Sequence, residues 1–419
     1  MDDQERVFVG FGFGAIQASL FLYEAYKTGS FSRFVIAEVV PETVAALRSA
    51  GGVYAVNIAG SNGIGVARVG PVEVYDPAVE EDRRALVRAI SKAREIATAV
   101  PSVAFYRSDS PGSIHRLLAA GLLEKARCAE PNAIIYAAEN HNHAAEILTA
   151  AITTELPGES AGEVRPRIRV VNTVIGKMSG VMTDAEEIRL AGLETVTLGS
   201  KRAFLVEEFN RILISRVQGE LGGRKFERGI SVFEEKDDLL PFEEAKLYGH
   251  NATHALAAYL AGLRGVTRIS DLRSDAVTMR FLREAFLEES GAALIRKHRG
   301  IDPLFTPQGY ELYADDLLQR MTNPYLRDTT ERVGRDPARK LGWDDRLIGT
   351  IRLAVAQGIR PWRYSVGAAA ALAWVHPEVV PGSRCSVGPW LEEIWGPVDA
   401  HERVEVIRLV QEGWESLGV

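Results

Sequence analysis

The sequence predicts an α/β domain built on a doubly wound parallel sheet, followed by a mainly α-helical domain. Three observations carry that reading. Short apolar runs alternate with amphipathic stretches through the first part of the chain, the pattern of βαβ units. A glycine-rich turn follows the first apolar run. From about Pro241 a 3.6-residue periodicity takes over and strand-like runs nearly vanish.

In order, the spacing predicts a strand over Arg6–Val9, a helix over Ala15–Lys27, a strand over Phe34–Ala37 and a helix near Pro41–Ala50. Val53–Tyr75 alternates β-branched residues around Ser61-Asn62-Gly63, which predicts a hairpin. A helix over Val79–Thr98, a strand over Ser102–Tyr106, a helix over Ser113–Ala126, a strand over Ala133–Ala137 and a helix over His143–Thr153 continue the alternation. Arg167–Val174 and Glu194–Leu205 are β-rich. The predicted helices of the second part are Glu243–Leu263, Val277–Arg296, Ala314–Met321, Arg346–Ala356 and Glu402–Leu417. The polar stretch Gln218–Lys236 reads as a linker or exposed excursion. The boundary is placed there, giving domains 1–225 and 226–419.

Composition bounds the function classes. The 419 residues are 46% hydrophobic and 25% charged, with a net charge of −7. These are the proportions of a globular chain, not of a disordered or collagen-like one. The acidic balance argues against a general nucleic-acid binder. No apolar run reaches the roughly 20 residues of a membrane-spanning helix, and the start MDDQERVFVG is too acidic for a signal peptide. Cys128 and Cys385 are the only cysteines. They support neither a disulfide framework nor a thiolate zinc site, so a reducing cytoplasm is expected.

Gly10-Phe11-Gly12-Phe13-Gly14-Ala15 follows the first strand and opens a helix. This is G-x-G-x-x-A, the dinucleotide fingerprint of a Rossmann-type domain. Gly10 would permit the tight turn, Gly12 the approach of a pyrophosphate, and Ala15 close helix–strand packing. The helix N-terminus would offer N–H groups to the phosphates. Glu38 ends the second strand, 28 residues after Gly10. A carboxylate there accepts ribose hydroxyls and repels a 2′-phosphate, so the expected cofactor is NAD. The alternative is a glycine turn with no ligand.

A second signal lies at Lys246, His250, Asn251 and His254. On an α-helix these fall within an arc of about 140°. An amine, an amide and two imidazoles suit proton transfer at an alcohol: a lysine of depressed pKa takes the hydroxyl proton and an amide holds the developing alkoxide. A solvated polar face is the bland alternative. A metal site is another, since His250 and His254 are spaced i, i+4 and His141-Asn142-His143 adds a second pair. No carboxylate stands in a recognisable metal spacing, so no metal is expected.

Lys246-x4-Asn251-x2-His254 resembles the K-x4-N-x2-H signature of the polyol-specific long-chain dehydrogenases, and more closely the mannitol-1-phosphate 5-dehydrogenase branch. Glu139-Asn140 resembles that family's Glu-Asn pair after the same strand. Residues 288–295 (EESGAALI) and 323–347 (NPYLRDTTERVGRDPARKLGWDDRL) resemble it over longer runs. The resemblance implies a metal-independent, NAD-linked hydride transfer, with Lys246 as general base in alcohol oxidation and acid in ketone reduction. It implies that Asn140 and Asn251 hold the reacting oxygen, and that His254 contacts the substrate.

Between Arg320 and Arg346 stand seven basic residues and five acids. A salt-bridged helical surface is the plain reading. Six of the seven are arginine, the residue suited to bidentate phosphate contacts. The resemblance places Arg332 and Lys340 at the substrate end of the cleft and likens Arg335 and Arg339 to the extra arginines of phosphate-using members. The expected partner is a small sugar phosphate or polyol phosphate, of the fructose 6-phosphate and mannitol 1-phosphate type. An unphosphorylated polyol or hexuronate, and a non-catalytic NAD-binding sensor, are the alternatives. The chain departs from the family at Val171-Asn172-Thr173-Val174-Ile175-Gly176-Lys177-Met178, where an aspartate-rich segment is usual, and at His141-Asn142-His143.

Overall fold

The computed structural model describes residues 5–209, 211–217, 220–221, 224–398 and 401–418. They divide into two compact units, Met1–Leu239 and Leu240–Val419.

The first unit is built on an eight-stranded sheet. Its strands are β1 (Val7–Phe11), β2 (Arg33–Ala37), β5 (Glu73–Tyr75), β6 (Ala93–Thr98), β7 (Ala133–Ala137), β8 (Ile168–Ile175), β11 (Ile212–Ser215) and β14 (Phe233–Lys236), in spatial order β14-β11-β8-β7-β6-β1-β2-β5. From β5 to β8 every pairing is parallel. That stretch has the 3-2-1-4-5-6 order of the Rossmann fold. β11 joins β8 antiparallel and β14 extends it. The chain of the β2-to-β5 crossover leaves to form β3 (Tyr54–Ala59) and β4 (Ile64–Val69). With β9 (Ser179–Met182) and β10 (Ala203–Glu207) these make a second sheet, ordered β4-β3-β10-β9. The hairpin expected around Ser61-Asn62-Gly63 is the β3–β4 pair.

Alternation along the central strands sets which face each side chain covers. Val7, Val9 and Phe11 of β1 join Val35, Ile96 and Ile135 in one cluster. Phe8 joins Ile36, Ala97, Ile134 and Tyr136 in the cluster on the other side. β1 and β7 are therefore buried along their whole length, as parallel strands covered on both faces are.

Several expectations fail here, wholly or in part. The helix expected over Val79–Thr98 ends at Lys92, and Ala93–Thr98 is β6, a central strand. No glycine or proline separates the two, and a short strand buried on both faces offers no period-2 signal. The strand expected at Ser102–Tyr106 is instead a 3₁₀ turn, Val103–Tyr106, capped by Ser102 Oγ accepting from the Ala104 N–H at 3.2 Å. Of Glu194–Leu205 only the end is strand. Of the excursion Gln218–Lys236, residues 218, 219, 222 and 223 lie outside those described. Glu220–Leu221 (β12) pairs with Arg224–Lys225 (β13), and β14 belongs to the main sheet.

The second unit is helical. Leu240–Glu244, Ala245–Asn251 and Ala252–Leu263 run on without a break, as do Ala276–Glu284, Ala285–Gly291 and Ala292–Lys297. The middle piece of each is π-helical. Ile348–Ala356 and Arg403–Ser416 match expected helices, and Pro307–Met321 begins seven residues before the expected Ala314. Trp362–Val375 was not anticipated. Its stretch Val366–Ala373 is small or apolar all round, so it has no polar face to mark a period. It is buried against Ala252–Leu263 and Arg403–Ser416.

Candidate active site

In the first unit the glycine turn is held from both sides. Gly12 has φ +83°, a conformation open to glycine, and a Cβ there would meet the Ala99 carbonyl at 3.1 Å. Its N–H donates to the Ala37 carbonyl at 2.8 Å. Gly10 lies within β1, where a Cβ would collide with the Gln17 amide and the Ile36 side chain. Gly14 faces open space at the head of the helix. Phe13 anchors the turn edge-on to Tyr54 and Phe204, at 4.9 and 5.6 Å between centroids. Ala15 is packed against the core.

Glu38 follows β2 and is almost wholly buried. Its Oε1 accepts the N–H groups of Val39 and Val40 at 2.7 and 2.8 Å, which fixes the carboxylate at the strand end. Glu139 is buried after β7. It accepts from Tyr106 Oη, from Thr98 Oγ1 at 3.0 Å and from the Val100 N–H at 3.0 Å. Burial raises its pKa. The neighbouring Asn140, and His141 and His143 beyond it, are exposed. The atypical segment has architectural contacts. Asn172 Oδ1 accepts from the Ala145 N–H at 2.8 Å, at the start of the preceding helix Ala144–Glu155, and Lys177 Nζ donates to the Phe209 carbonyl at 2.7 Å.

In the second unit, Lys246 and Asn251 lie on the π-helical stretch. Residues five apart diverge by about 140° on an α-helix. The i→i+5 spacing of a π-helix brings them nearly above one another. Asn251 and His254 are then three apart at the start of the following α-helix, again one face. The wide turn thus gathers K-x4-N and N-x2-H onto one side, more tightly than an unbroken α-helix would.

Asn251 and His254 line a cavity of about 160 Å³ with Ala255, Arg332, Val333, Arg335, Arg339, Lys340 and Arg346. All four basic residues assigned from sequence to the substrate are among them. Arg346, left out of that set, is there too; it lies just after the paired aspartates, which disguise it as part of a solvated charge run. Five of the nine lining residues are cationic and none is acidic. Carboxylates hold three of the arginines from behind. Asp328 takes Arg332, and Asp345 takes Arg339 at 3.2 Å and Arg346 at 2.8 Å.

The field of these cations shows in the neighbouring groups. Burial, with Arg346 and Arg339 adding, lowers Lys340 to about 8. Burial and then Arg346 lower Lys246 to about 8, with Glu243 opposing. Burial lowers His254 to about 4 against the pull of Asp328, and burial with Arg320 holds His250 well below its ordinary value. Both imidazoles are neutral at pH 7. His250 is packed inside and does not line the cavity. Among the described residues no group of three or more His, Cys, Asp or Glu is placed to hold a metal ion.

Residues 238–394 match the family model of the mannitol dehydrogenase C-terminal domain. That match lies almost wholly within the second unit and is a likeness to the family's C-terminal domain. Among curated relatives, the mannitol-1-phosphate 5-dehydrogenase of Halalkalibacterium halodurans is 36% identical over 138 residues, which is 33% of this chain and 35% of that protein. The match therefore spans about a third of the relative's length. Among solved structures, the mannitol 2-dehydrogenase of Pseudomonas fluorescens, in ternary complex with NAD and D-mannitol, superposes with a TM-score of 0.68 at 15% identity. It covers 99% of this chain and 92% of that one. A substrate-free D-sorbitol dehydrogenase gives 0.72 at 14% identity, covering 98% and 95%. At these identities the two likenesses show a shared fold.

Proposed function

We propose that the chain is an NAD-dependent oxidoreductase interconverting a polyol phosphate and a ketose phosphate, with Lys246 as a metal-independent general acid/base. The observation that carries this reading is the cavity in which five cations surround Asn251 and His254. A dianionic phosphate fits a lining whose own carboxylates are turned to its back. The curated relative whose matched segment is 36% identical is a phosphate-using enzyme by its name.

NAD suits the first unit. Gly12 and Gly14 leave room at the head of a helix, and Glu38 is held where it can accept a ribose hydroxyl. NAD supplies the hydride acceptor when bound, and NADH the donor in the reverse direction. The chain's own residues handle the proton. Lys246 is near a pKa of about 8, so about one-tenth is free amine at pH 7, enough to accept a hydroxyl proton. As ammonium it returns that proton to the oxygen in ketone reduction. Asn251 is read as a donor that holds this oxygen, and Asn140 is assigned the same role from its motif. Two free cysteines suit the reducing cytoplasm as its compartment.

The test compares kcat/KM for fructose 6-phosphate and fructose with NADH, in the native chain and in Lys246→Ala. The reading expects a strong preference for the phosphate and a fall of about 10²-fold or more in the variant, with NADH binding retained in fluorescence titration. Equal use of fructose, or of a hexuronate, overturns the phosphate assignment. Turnover that survives in the variant overturns the role of Lys246.

A further inference from the structure

Two buried polar atoms face each other behind the cavity with no hydrogen-bond partner among the described residues. They are His254 Nε2 and Asp328 Oδ2, 3.8 Å apart. Leaving either unsatisfied is costly, so the pair calls for one another or for a shared water. Their positions are fixed from outside the pair. Asp328 follows Arg327, a non-glycine residue at φ +56°. Its carbonyl accepts the Ile269 N–H at 3.0 Å, and its Oδ1 accepts from Arg332. Thr330 Oγ1 donates to the Val266 carbonyl at 2.9 Å, tying this turn to the loop that ends the helix carrying His254.

We infer that Asp328 is a positioning residue that fixes the tautomer of His254. A neutral imidazole has one N–H and one lone pair. A carboxylate oxygen has only lone pairs, so the ring must turn its N–H toward Asp328, placing the proton on Nε2. Nδ1 is then the ring's acceptor, and it is this nitrogen that serves the cavity. An acceptor there takes a substrate hydroxyl and rejects a carbonyl or a carboxylate. The same carboxylate holds Arg332 through its other oxygen, so one aspartate sets a hydroxyl-binding and an anion-binding group together. The consequence for substrate rests on the oxidoreductase reading; the tautomer itself does not.

The experiment is a ¹⁵N–¹H correlation spectrum of the full chain labelled at histidine, at neutral pH without substrate. A His254→Asn variant assigns the resonances among the eight histidines by their loss. The expected result is a neutral ring protonated at Nε2. An Asp328→Asn variant keeps its carbonyl on Arg332 and turns its NH₂ to the ring, so the proton should move to Nδ1. A native ring protonated at Nδ1, or at both nitrogens, overturns the inference, as does a folded Asp328→Asn variant whose tautomer is unchanged. The native spectrum decides the tautomer even where the variant does not fold. It also decides it where no sugar phosphate is turned over, which separates this failure from that of the proposed reaction.

Discussion

The ammonium of Lys340 donates to the backbone carbonyl of Arg335, five residues upstream. That bond closes the turn between Thr330–Gly334 and Pro337–Lys340, and it leaves Lys340 largely spent on the fold. Arg335, exposed at the cavity rim, has no ion-pair partner among the described residues.

A guanidinium with no internal partner is the one to lose first. Arg335→Gln should lower kcat/KM for a ketose phosphate by about 10- to 100-fold, the scale of one or two charged hydrogen bonds. The value for the unphosphorylated ketose should not move. Parallel losses on both substrates would place Arg335 in general positioning instead.

The acid/base role makes a pH prediction with a definite sign. Oxidation needs the free amine of Lys246, so its kcat/KM should rise with pH through about 8; reduction needs the ammonium and should fall through the same range. Arg346→Gln removes the neighbouring cation that favours the amine and leaves Glu243, which favours the ammonium. Both midpoints should therefore move upward. Initial rates in the two directions across pH 6–10, on the order of four units, test this. A midpoint indifferent to Arg346 would break the link.

Glu38 is expected to set the choice of dinucleotide. In Glu38→Ala, NADH should bind at least about tenfold more weakly, since a charged acceptor is lost, while NADPH gains relative to it. Fluorescence titration of both nucleotides reads the ratio. An unchanged ratio would mean that the carboxylate serves only the Val39 and Val40 amides.

Prolonged dialysis against a chelator should leave turnover unchanged. Loss of activity that returns with an added divalent ion would replace the lysine mechanism.

Lys125 carries a stability prediction remote from the site. Its Nζ is fully buried and donates to the carbonyls of Ala93 and Pro131 at 2.7 and 2.6 Å. Burial lowers its pKa to about 7 from an ordinary 10.5. Between those values the unfolded chain holds a proton that the native chain does not. Stability should therefore climb as pH rises from about 7, by at most about 1.4 kcal/mol per unit. Urea midpoints at several pH values, native against Lys125→Met, measure it. A variant with the same slope would clear Lys125 of the effect.

Much of this was legible in the residues, for identifiable reasons. The glycine turn, Glu38 and the Lys-Asn-His spacing are local patterns, and local patterns survive in a bare sequence. β6 was misread because its neighbours in space, β1 and β7, supply what its sequence lacks: partners on both edges and cover on both faces. Trp362–Val375 was missed for the matching reason in a helix. Arg346 and Asp328 were visible as residues but not as members of the site. Their part depends on which carboxylate backs which cation, a relation between Asp328, Arg332 and His254 that sequence spacing alone does not encode.

The wide turn at Ala245–Asn251 acts as a phase shift of one residue in an otherwise continuous rod. Winding the same residues into a regular α-helix would keep the backbone hydrogen-bonded; what it would destroy is registration. Every side chain before the turn would swing by about 100° against every one after it, parting Lys246 from Asn251 and His254 while each kept its own helical turn. The chemistry of this chain is tuned by a count of residues, and a perfect helix would be the wrong one.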